Sequence, residues 1–212
     1  MTSTRGVVYV AIGDAAEVAA CSSVASLRNF YDGPIEVWTN DQLVVRGAKN
    51  RYVSRWPYSG GVQVSRYLKV SMLDISPFRN TLYLDADTLV RGQIDTGFDI
   101  LDDGYDLVVC ASANQGGEAM HHIEEEERWY TMCQLYGCTL QLQAGVVFVR
   151  KSDRTRELFW AWRYEWQRWH KQDQAALMRA LDQNPVKLWL LGRPWNGGAI
   201  IEHRFGRARD GR

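Results

Sequence analysis

The sequence TLYLDADTLV, residues 81–90, ends an apolar run with two carboxylates one residue apart. The run predicts a buried strand, and because side chains alternate along a strand, Asp85 and Asp87 are expected to point to the same side. Two oxygen ligands from one short segment suit a hard divalent cation that also takes phosphate oxygens and water. The alternative is a strand end whose acids cap a turn. The choice between a metal site and a turn depends on residues elsewhere in the chain.

The composition favours one domain and gives no sign of nucleic-acid binding. The 212 residues are 46% hydrophobic, which suffices for one substantial core, and no linker rich in proline, glycine or serine divides them. Lysine plus arginine number 25, as do aspartate plus glutamate, so the net charge offers nucleic acid no general attraction. We therefore expect a single domain over residues 1–212.

The beginning of the chain and its apolar stretches bear on the location of the protein. Residues 1–6 lack the apolar core of a signal peptide, and no apolar stretch reaches the roughly twenty residues of a membrane helix, so we expect a cytoplasmic protein. The end at Arg212 is compatible with a catalytic unit excised from a longer chain.

Cysteines 21, 110, 133 and 138 lie in apolar contexts without C-x-x-C spacing, which predicts buried free thiols.

Alternating strand and helix patterns predict an α/β fold. Strands are predicted over 7–12, 35–39, 81–84, 107–111 and 145–149, and helices over 15–30, 62–75, 123–136, 155–171 and 173–181. In open α/β sheets, ligands bind beyond the carboxyl ends of the strands. The Gly13-Asp14 turn and the Asp85/Asp87 pair both follow strands, so the two signals indicate one crevice.

The opening turn, Ala11-Ile12-Gly13-Asp14, matches neither a Walker loop nor the G-x-G-x-x-G pattern. Its glycine would let the backbone approach a nucleotide base or ribose, with Asp14 accepting hydrogen bonds. The alternative is that Asp14 is the N-cap of the following helix, and both readings are compatible.

Arg66 and Lys69 lie three residues apart on one face of the helix predicted over 62–75. The helix precedes the carboxylate strand, so these cations are placed to meet phosphate or sugar hydroxyls. A solvated helix face is the alternative.

The segment after residue 200 is the second strong signal. His203 follows a short apolar stretch, with Gly206 and Arg209 three and six residues further on. A neutral imidazole at His203 would complete a metal site begun by Asp85 and Asp87. Gly206 would allow the backbone to approach a ligand closely, and Arg207 or Arg209 would neutralise the charge of a diphosphate. A rival metal cluster at 121–127 is disfavoured, because its consecutive histidines would point apart on a helix.

The aromatic run at 159–169 contains four of the nine tryptophans. Helical spacing aligns Phe159, Trp162, Trp166 and Trp169 in one stripe, which is typical of a core or a dimer face more than of a sugar platform. A homo-oligomer is therefore left open. Trp160 and Tyr164 fall off the stripe and are expected to be exposed.

Across nearly the whole chain, these segments resemble the GT-A nucleotide-sugar glycosyltransferases, particularly the glycogenin-like and lipopolysaccharide galactosyltransferase-like group, which is usually retaining. LYLDAD at 82–87 is similar to its Tyr-Leu-Asp-x-Asp signature (the DXD motif), and 8–14 to its first strand and Ala-x-Gly-Asp turn. In the first half of the chain, residues 22–27 resemble the group's Ser-x-x-Ser-Leu helix, and Arg66 and Lys69 resemble the cations of its basic helix. In the second half, residues 143–146 resemble its Asn-Ser-Gly-Val segment, and residues 172–174 resemble its Asp-Gln pair. Residues 194–196 resemble its Trp-Asn motif, and residues 203–209 resemble its His-x-x-Gly-x-x-Lys ending. Gln143-Ala144 replaces Asn-Ser, and Asp210-Gly211 replaces Pro-Trp.

The resemblance implies a single Rossmann-like GT-A domain with a mostly parallel central sheet flanked by helices. It implies Mn²⁺ or Mg²⁺ bound by Asp85, Asp87 and His203, bridging the diphosphate of a UDP-linked sugar donor. The implied activity is transfer of that sugar, with retention, to a hydroxyl of a glycan or other acceptor.

The resemblance also implies roles for individual residues. The donor and nucleotide residues are Ala11, Ile12, Gly13, Asp14, Arg66, Lys69, Asp85, Ala86, Gly206, Arg207 and Arg209. Among them, Lys69, Arg207 and Arg209 share the diphosphate charge, and Arg66, with Asp173, contacts sugar hydroxyls. Asp173, Gln174 and Asp87 are implied to be catalytic, and Gln143, Ala144 and Gly145 to contact the acceptor or the sugar.

Alternatives to retaining transfer remain. For retention we expect front-face attack in which the departing phosphate takes the acceptor proton, whereas inversion would need Asp173 as a base. A nucleotidyltransferase or nucleotide-sugar hydrolase is disfavoured by the absence of a glycine-rich, lysine-bearing loop. An inactive nucleotide-sugar-binding module is the third reading, because Gln143-Ala144 departs from the group's pattern.

Overall fold

A mixed sheet of seven strands forms the centre of the computed structural model, which describes residues 4–40, 44–54, 57–112, 120, 123–137 and 140–204. Its strands are β1 (Arg5–Ala11), β2 (Ile35–Thr39), β3 (Lys49–Tyr52), β4 (Asn80–Asp85), β6 (Leu107–Ala111), β7 (Leu142–Arg150) and β8 (Leu188–Leu191), with β5 (Thr88–Val90) and β9 (Ile201–His203) in a separate two-stranded sheet. The order in the large sheet is β3-β2-β1-β4-β7-β6-β8.

Most neighbouring strands of the large sheet are parallel. Only the pairs β4·β7 and β6·β7 are antiparallel within the described residues, because β7 runs against its two neighbours. The predicted α/β fold with a mostly parallel central sheet is confirmed. In the β1·β4 register, Val10 lies opposite Asp85. The turn after β1 therefore begins beside the carboxylates that end β4.

Helices cover both faces of the sheet. They are α1 (Asp14–Leu27), α2 (Gly61–Val70), α3 (Met72–Ile75), α4 (Asp95–Asp102), α5 (Glu125–Gln134), α6 (Asp153–Trp169) and α7 (Asp173–Gln183), with a 3₁₀ turn at Arg193–Trp195. One apolar cluster joins Val8 and Val10 to α2, α6 and α7, and the other joins Val7 and Tyr9 to α1 and α4. Alternation along β1 thus supplies both cores. Among the described helices, none combines the length and apolar character that a bilayer span requires.

Most predicted elements form, but some predictions are wrong. The helix predicted over 62–75 is interrupted at Ser71, whose φ of −104° and ψ of 7° separate α2 from α3. The N-cap of α1 is Gly13, with φ of 88°, and Asp14 is already the first helical residue. The reading of Asp14 as the cap is therefore wrong, and the positive φ explains why glycine precedes it.

The aromatic stripe on α6 lies mainly in the core, as predicted. Trp162 and Trp166 are fully buried, and Trp162 donates a hydrogen bond to the Asp173 carbonyl at 2.7 Å. Trp160 and Tyr164 are 61% and 53% exposed, which confirms the prediction for these two residues. The core of α6 is thereby attached to the first residue of α7.

The cysteines with described positions are free thiols, but they are not uniformly buried. Cys110 is buried in β6, and burial raises the pKa of its thiol to about 12. Cys21 is half-buried and Cys133 is exposed on α5, so the prediction of burial is wrong for Cys133, whose apolar sequence neighbours face the core instead. Cys138 lies outside the described residues.

Asp106 precedes β6 and is a buried anchor for the end of the sheet opposite Asp85. Its carboxylate accepts hydrogen bonds from Arg150 at 2.8 Å, from Arg154 at 3.1 Å and from the Lys187 amide at 3.1 Å. Burial alone would raise the pKa of Asp106, but Arg150 and these other groups hold it below the ordinary value of 3.8. The folded state therefore favours the ionised carboxyl.

We expect Asp106→Asn to lower the free energy of unfolding at pH 7 by about 1–3 kcal/mol, the usual cost of impairing a buried hydrogen-bonded group. Because the folded pKa is depressed, this stabilisation is complete above the pKa of an unfolded aspartate and is lost as the pH falls through the folded value. Urea denaturation at pH 7 and at about pH 3 should show a smaller difference in acid. The exposed Asp153→Asn is the control. An equal difference at both pH values would contradict the assigned ion pairs.

Candidate functional site

Asp85, Asp87 and His203 converge at the carboxyl edge of β1 and β4. Asp85 ends β4, Asp87 lies in the turn before β5, and His203 ends β9, where it is paired with Thr88 of β5. One ligand atom from each residue lies within 4.8 Å of the other two. The His203 Nε2 atom is 3.2 Å from Asp87 Oδ1 and 3.7 Å from Asp85 Oδ2. The structure therefore brings together the three residues that the sequence proposes as metal ligands.

The two aspartates meet for a different reason from the one expected. Strand alternation does not apply, because Ala86 and Asp87 form a turn after the strand has ended. The amide of Arg204 donates to the Asp87 carbonyl at 3.0 Å, which extends the contact between this turn and β9. The turn and the small β5·β9 sheet together direct the carboxylates toward the histidine.

The donor set of this cluster fits a divalent cation. Two carboxylate oxygens and one imidazole nitrogen are ligands that Mn²⁺ accepts, and the carboxylates also suit Mg²⁺. Gly145 of β7 forms the wall beside them, and an ideal Cβ there would lie 2.3 Å from His203 Cε1 and 2.7 Å from Asp85 Oδ2. Only a residue without a side chain leaves His203 and Asp85 in place.

We expect Gly145→Ala to destabilise the protein by about 1–3 kcal/mol, because the added methyl group forces His203 and Asp85 to move. Chemical denaturation measures this change. Gly92→Ala is a matched control, since its nearest neighbour would be 3.7 Å away, an ordinary contact. Equal stabilities for the two variants would contradict the close approach of β7.

Lys69 lies between Asp85 and Asp173, the first residue of α7. Its ammonium is 3.0 Å from Asp85 Oδ1 and 2.7 Å from Asp173 Oδ2, and its side chain is only 8% exposed. Burial would lower the pKa of Lys69, but the carboxylates of Asp173 and Asp85 raise it. Burial would likewise raise the pKa of Asp173, but Lys69 lowers it. Lys69 and Asp173 are therefore held in their charged forms.

Arg66 also reaches the start of α7. Its guanidinium donates to the Lys171 carbonyl and, at 2.9 Å, to the side-chain oxygen of Gln172. The alternative of a solvated helix face is wrong for Lys69, which is buried, whereas Arg66 is half-buried. Gln174, the second residue of α7, is half-buried beside Asp173.

The turn Ala11–Asp14, for which the sequence predicts nucleotide binding, follows Val10, which lies opposite Asp85 in the β1·β4 register. Ala11 is buried, Ile12 and Gly13 are half-buried, and Asp14 is exposed. The Gly13 amide donates to Asn40 Oδ1 at 3.0 Å, a contact that the sequence analysis did not anticipate. The turn is therefore attached to the segment at Asn40 and begins one residue after the position opposite Asp85.

The segment 143–145 at the start of β7 has mixed surroundings. Gln143 is 8% exposed, and its side-chain oxygen has no hydrogen-bond partner among the described residues. Ala144 is fully buried in the first apolar cluster, whereas Gly145 faces Asp85 and His203. Ala86 is half-buried in the turn after β4.

Sequence reasoning did not assign two further contacts in the cluster. Tyr83 donates its hydroxyl to Asp85 Oδ1 at 2.8 Å, and Asn196 Oδ1 lies 2.7 Å from His203 Nδ1. Tyr83 lies two residues before Asp85 on one strand, a spacing that would have indicated the contact. Asn196 belongs to the Trp-Asn motif, but its sequence gives no sign of its partner.

Some proposed residues fall outside the described part of the chain. They are Gly206, Arg207 and Arg209, which were predicted to contact a diphosphate; the two histidines of the rival metal cluster, at 121 and 122, also lie outside it.

Comparison with solved structures places this fold among glycosyltransferases. Mouse xyloside xylosyltransferase 1 in its apo form matches with a TM-score of 0.57 and 12% identity, over 88% of this chain and 84% of that one. The apo WbbM bifunctional glycosyltransferase matches with a TM-score of 0.65 and 11% identity, over 90% and 39%. The galactosyltransferase LgtC, in complex with donor and acceptor sugar analogues, matches with a TM-score of 0.55 and 15% identity, over 87% and 72%.

The chain spans less than half the length of some of these proteins: 39% of WbbM and 45% of the glycosyltransferase GlyE of Streptococcus pneumoniae TIGR4. No protein-family model and no curated protein matches the sequence. At 11–17% identity, the similarity concerns architecture. The chain therefore has the GT-A fold that the sequence resemblance implied.

Proposed function

We propose that residues 1–212 form the catalytic domain of a metal-dependent glycosyltransferase, which moves a sugar from a UDP-linked donor to a hydroxyl of a glycan or other acceptor. The observation that carries this proposal is the convergence of Asp85, Asp87 and His203 at the carboxyl edge of the sheet, in a fold shared with glycosyltransferases. Ligands of α/β folds bind at this edge.

The cation would be Mn²⁺ or Mg²⁺, held by Asp85, Asp87 and His203. When bound, it would neutralise the charge that develops on the leaving diphosphate. Arg207 and Arg209 are proposed to share that charge, with Gly206 allowing close backbone approach. The turn Ala11–Asp14 would hold the nucleoside beside Asp85, next to Ala86.

Lys69, Arg66 and Asp173 would organise the donor sugar. The single positive charge of Lys69 is shared between the carboxylates of Asp85 and Asp173, so Lys69 would act on a diphosphate mainly by reducing the negative charge of these two groups. The ionised Asp173 would accept hydrogen bonds from sugar hydroxyls, and the unpartnered oxygen of Gln143 would accept another. Gln174 and the 143–145 segment would line the face on which transfer occurs.

Retention is the proposed stereochemical outcome. Asp173 is 6% exposed and paired with Lys69, which makes it a weak base for an acceptor hydroxyl. Front-face attack, in which the departing phosphate takes the acceptor proton, requires no protein base. Inversion would require Asp173 to leave its ion pair.

The proposal is tested by donor turnover. UDP release from a panel of UDP-sugars is measured with Mn²⁺, with Mg²⁺ and with EDTA, each with and without a panel of glycan acceptors. Acceptor-dependent release, abolished by EDTA, with an α-linked product from an α-linked donor on NMR, is the expected result. Release at the same rate without an acceptor would favour a nucleotide-sugar hydrolase. Binding without release of UDP would favour an inactive module.

A further inference from the structure

We propose that Asn196 is a positioning residue that fixes the ring proton of His203 on Nδ1, so that Nε2 presents its lone pair to the metal position. The inference rests on the proposed function only for the identity of what Nε2 binds. Asn196 belongs to the Trp-Asn motif, which has no part in the roles assigned above.

The direction of the hydrogen bond follows from the chemistry of its two atoms. Asn196 Oδ1 lies 2.7 Å from His203 Nδ1, and a carbonyl oxygen can only accept. A hydrogen bond between these two atoms therefore needs the proton on Nδ1, which is the donor. The opposite nitrogen, Nε2, faces Asp87 at 3.2 Å and Asp85 at 3.7 Å. In the neutral ring that nitrogen has the free lone pair that a metal requires.

The contact is rigid and shielded from water. Asn196 is 2% exposed and His203 is 7% exposed, so water competes little for this hydrogen bond. The loop that carries Asn196 is closed by the Ile200 amide, which donates to Pro194 at 2.9 Å, and by the Gly197 amide, which donates to Ile201 at 2.9 Å. Trp195 packs edge-on against Phe148 of the central sheet. The amide is therefore held in place from both sides.

The amide nitrogen of the Asn196 side chain indicates that this orientation lowers the stability of the fold. Its Nδ2 atom is buried and has no hydrogen-bond partner among the described residues. An unsatisfied buried donor destabilises a fold. An apolar residue of similar size would avoid that cost but would leave Nδ1 of His203 without an acceptor. Asparagine at this position is thus explained by what it does for His203.

The protonated nitrogen can be read directly by NMR. The chain has only four histidines, so ¹⁵N-histidine labelling gives a simple spectrum, and the signals of His203 are identified by their loss in His203→Gln. Spectra of the wild type, Asn196→Leu and Asn196→Asp are recorded at pH 8.5, without metal and with Mg²⁺. Mn²⁺ affinity is measured in parallel from the EPR signal of the free ion.

We expect the wild type and Asn196→Asp, which keeps the acceptor oxygen, to carry the His203 proton on Nδ1. In Asn196→Leu the proton should move to Nε2, and Mn²⁺ affinity should fall about 10- to 100-fold, as for other residues that orient metal-bound histidines. An unprotonated Nδ1 in the wild type would overturn the inference without any variant. An unchanged proton position in Asn196→Leu would also overturn it. The expected spectra in a wild type that binds no Mn²⁺ would support the positioning role and contradict the proposed function.

Discussion

Replacing Asp87 with asparagine or His203 with alanine should lower acceptor-dependent sugar transfer by about 1000-fold, because a divalent ion at a developing negative charge is worth several kcal/mol. Asp87 and His203 each supply one ligand atom to the cluster, and neither belongs to the apolar core. For Asp87, whose side chain is 19% exposed, the loss should therefore appear with fold stability largely retained. Initial rates at saturating Mn²⁺ and donor measure it.

Glu202→Gln is the matched control for these two variants. Glu202 precedes His203 on β9, but its side chain is 42% exposed and pairs with Arg91 at 2.9 Å. Exposed pairs of this kind contribute about 0–1 kcal/mol, so transfer should change less than about fivefold. Activity that survives in both Asp87→Asn and His203→Ala, or falls equally in Glu202→Gln, would contradict the assignment of the metal ligands.

Lys69→Met should produce the largest loss of stability, about 3–5 kcal/mol, because breaking a buried ion pair leaves an uncompensated charge. The substitution keeps the size of the side chain but leaves the buried carboxylate of Asp173 without the ammonium at 2.7 Å. Two carboxylates, those of Asp85 and Asp173, would then face a shared site without their cation. Urea denaturation at pH 7 measures the free energy of unfolding.

A double variant separates the ion pair from simple loss of packing. Lys69→Met with Asp173→Asn should be more stable than the sum of the two single effects, since the uncompensated carboxylate is removed. Lys49→Met serves as the control, because that side chain is 68% exposed and lies 3.8 Å from Glu36. Strict additivity of the two changes would show that Lys69 and Asp173 do not stabilise each other.

The apolar strands of the fold could be predicted from the sequence because they are buried on both sides. The runs in β1, β2 and β6 match the observed bounds closely, as expected for parallel strands between two layers of helices. The strand β3 was not predicted, because its sequence KNRY is polar and it lies at the exposed edge of the sheet. The strand β8, at the other edge, and the short helix α4 were also missed.

The chemistry of the site was predictable only in part. The carboxylate pair stands out because charges rarely follow a buried apolar run, and His203 was identified by the spacing of the residues after it. The small sheet that joins them depends on pairing between β5 and β9, which are distant in sequence. Burial of Lys69 and the requirement for glycine at 145 also follow from tertiary contacts. No local pattern carries that information.

The most direct test of the account is calorimetric titration of UDP-sugars and free UDP into the wild-type protein with Mn²⁺, with Mg²⁺ and with EDTA. Asp87→Asn and His203→Ala are titrated beside it. At least one UDP-sugar should bind in the presence of Mn²⁺ or Mg²⁺, and EDTA and both substitutions should abolish this binding. Donor binding that is equally strong with EDTA, or no binding of any donor by the folded wild type, would contradict a metal-dependent nucleotide-sugar site at Asp85, Asp87 and His203.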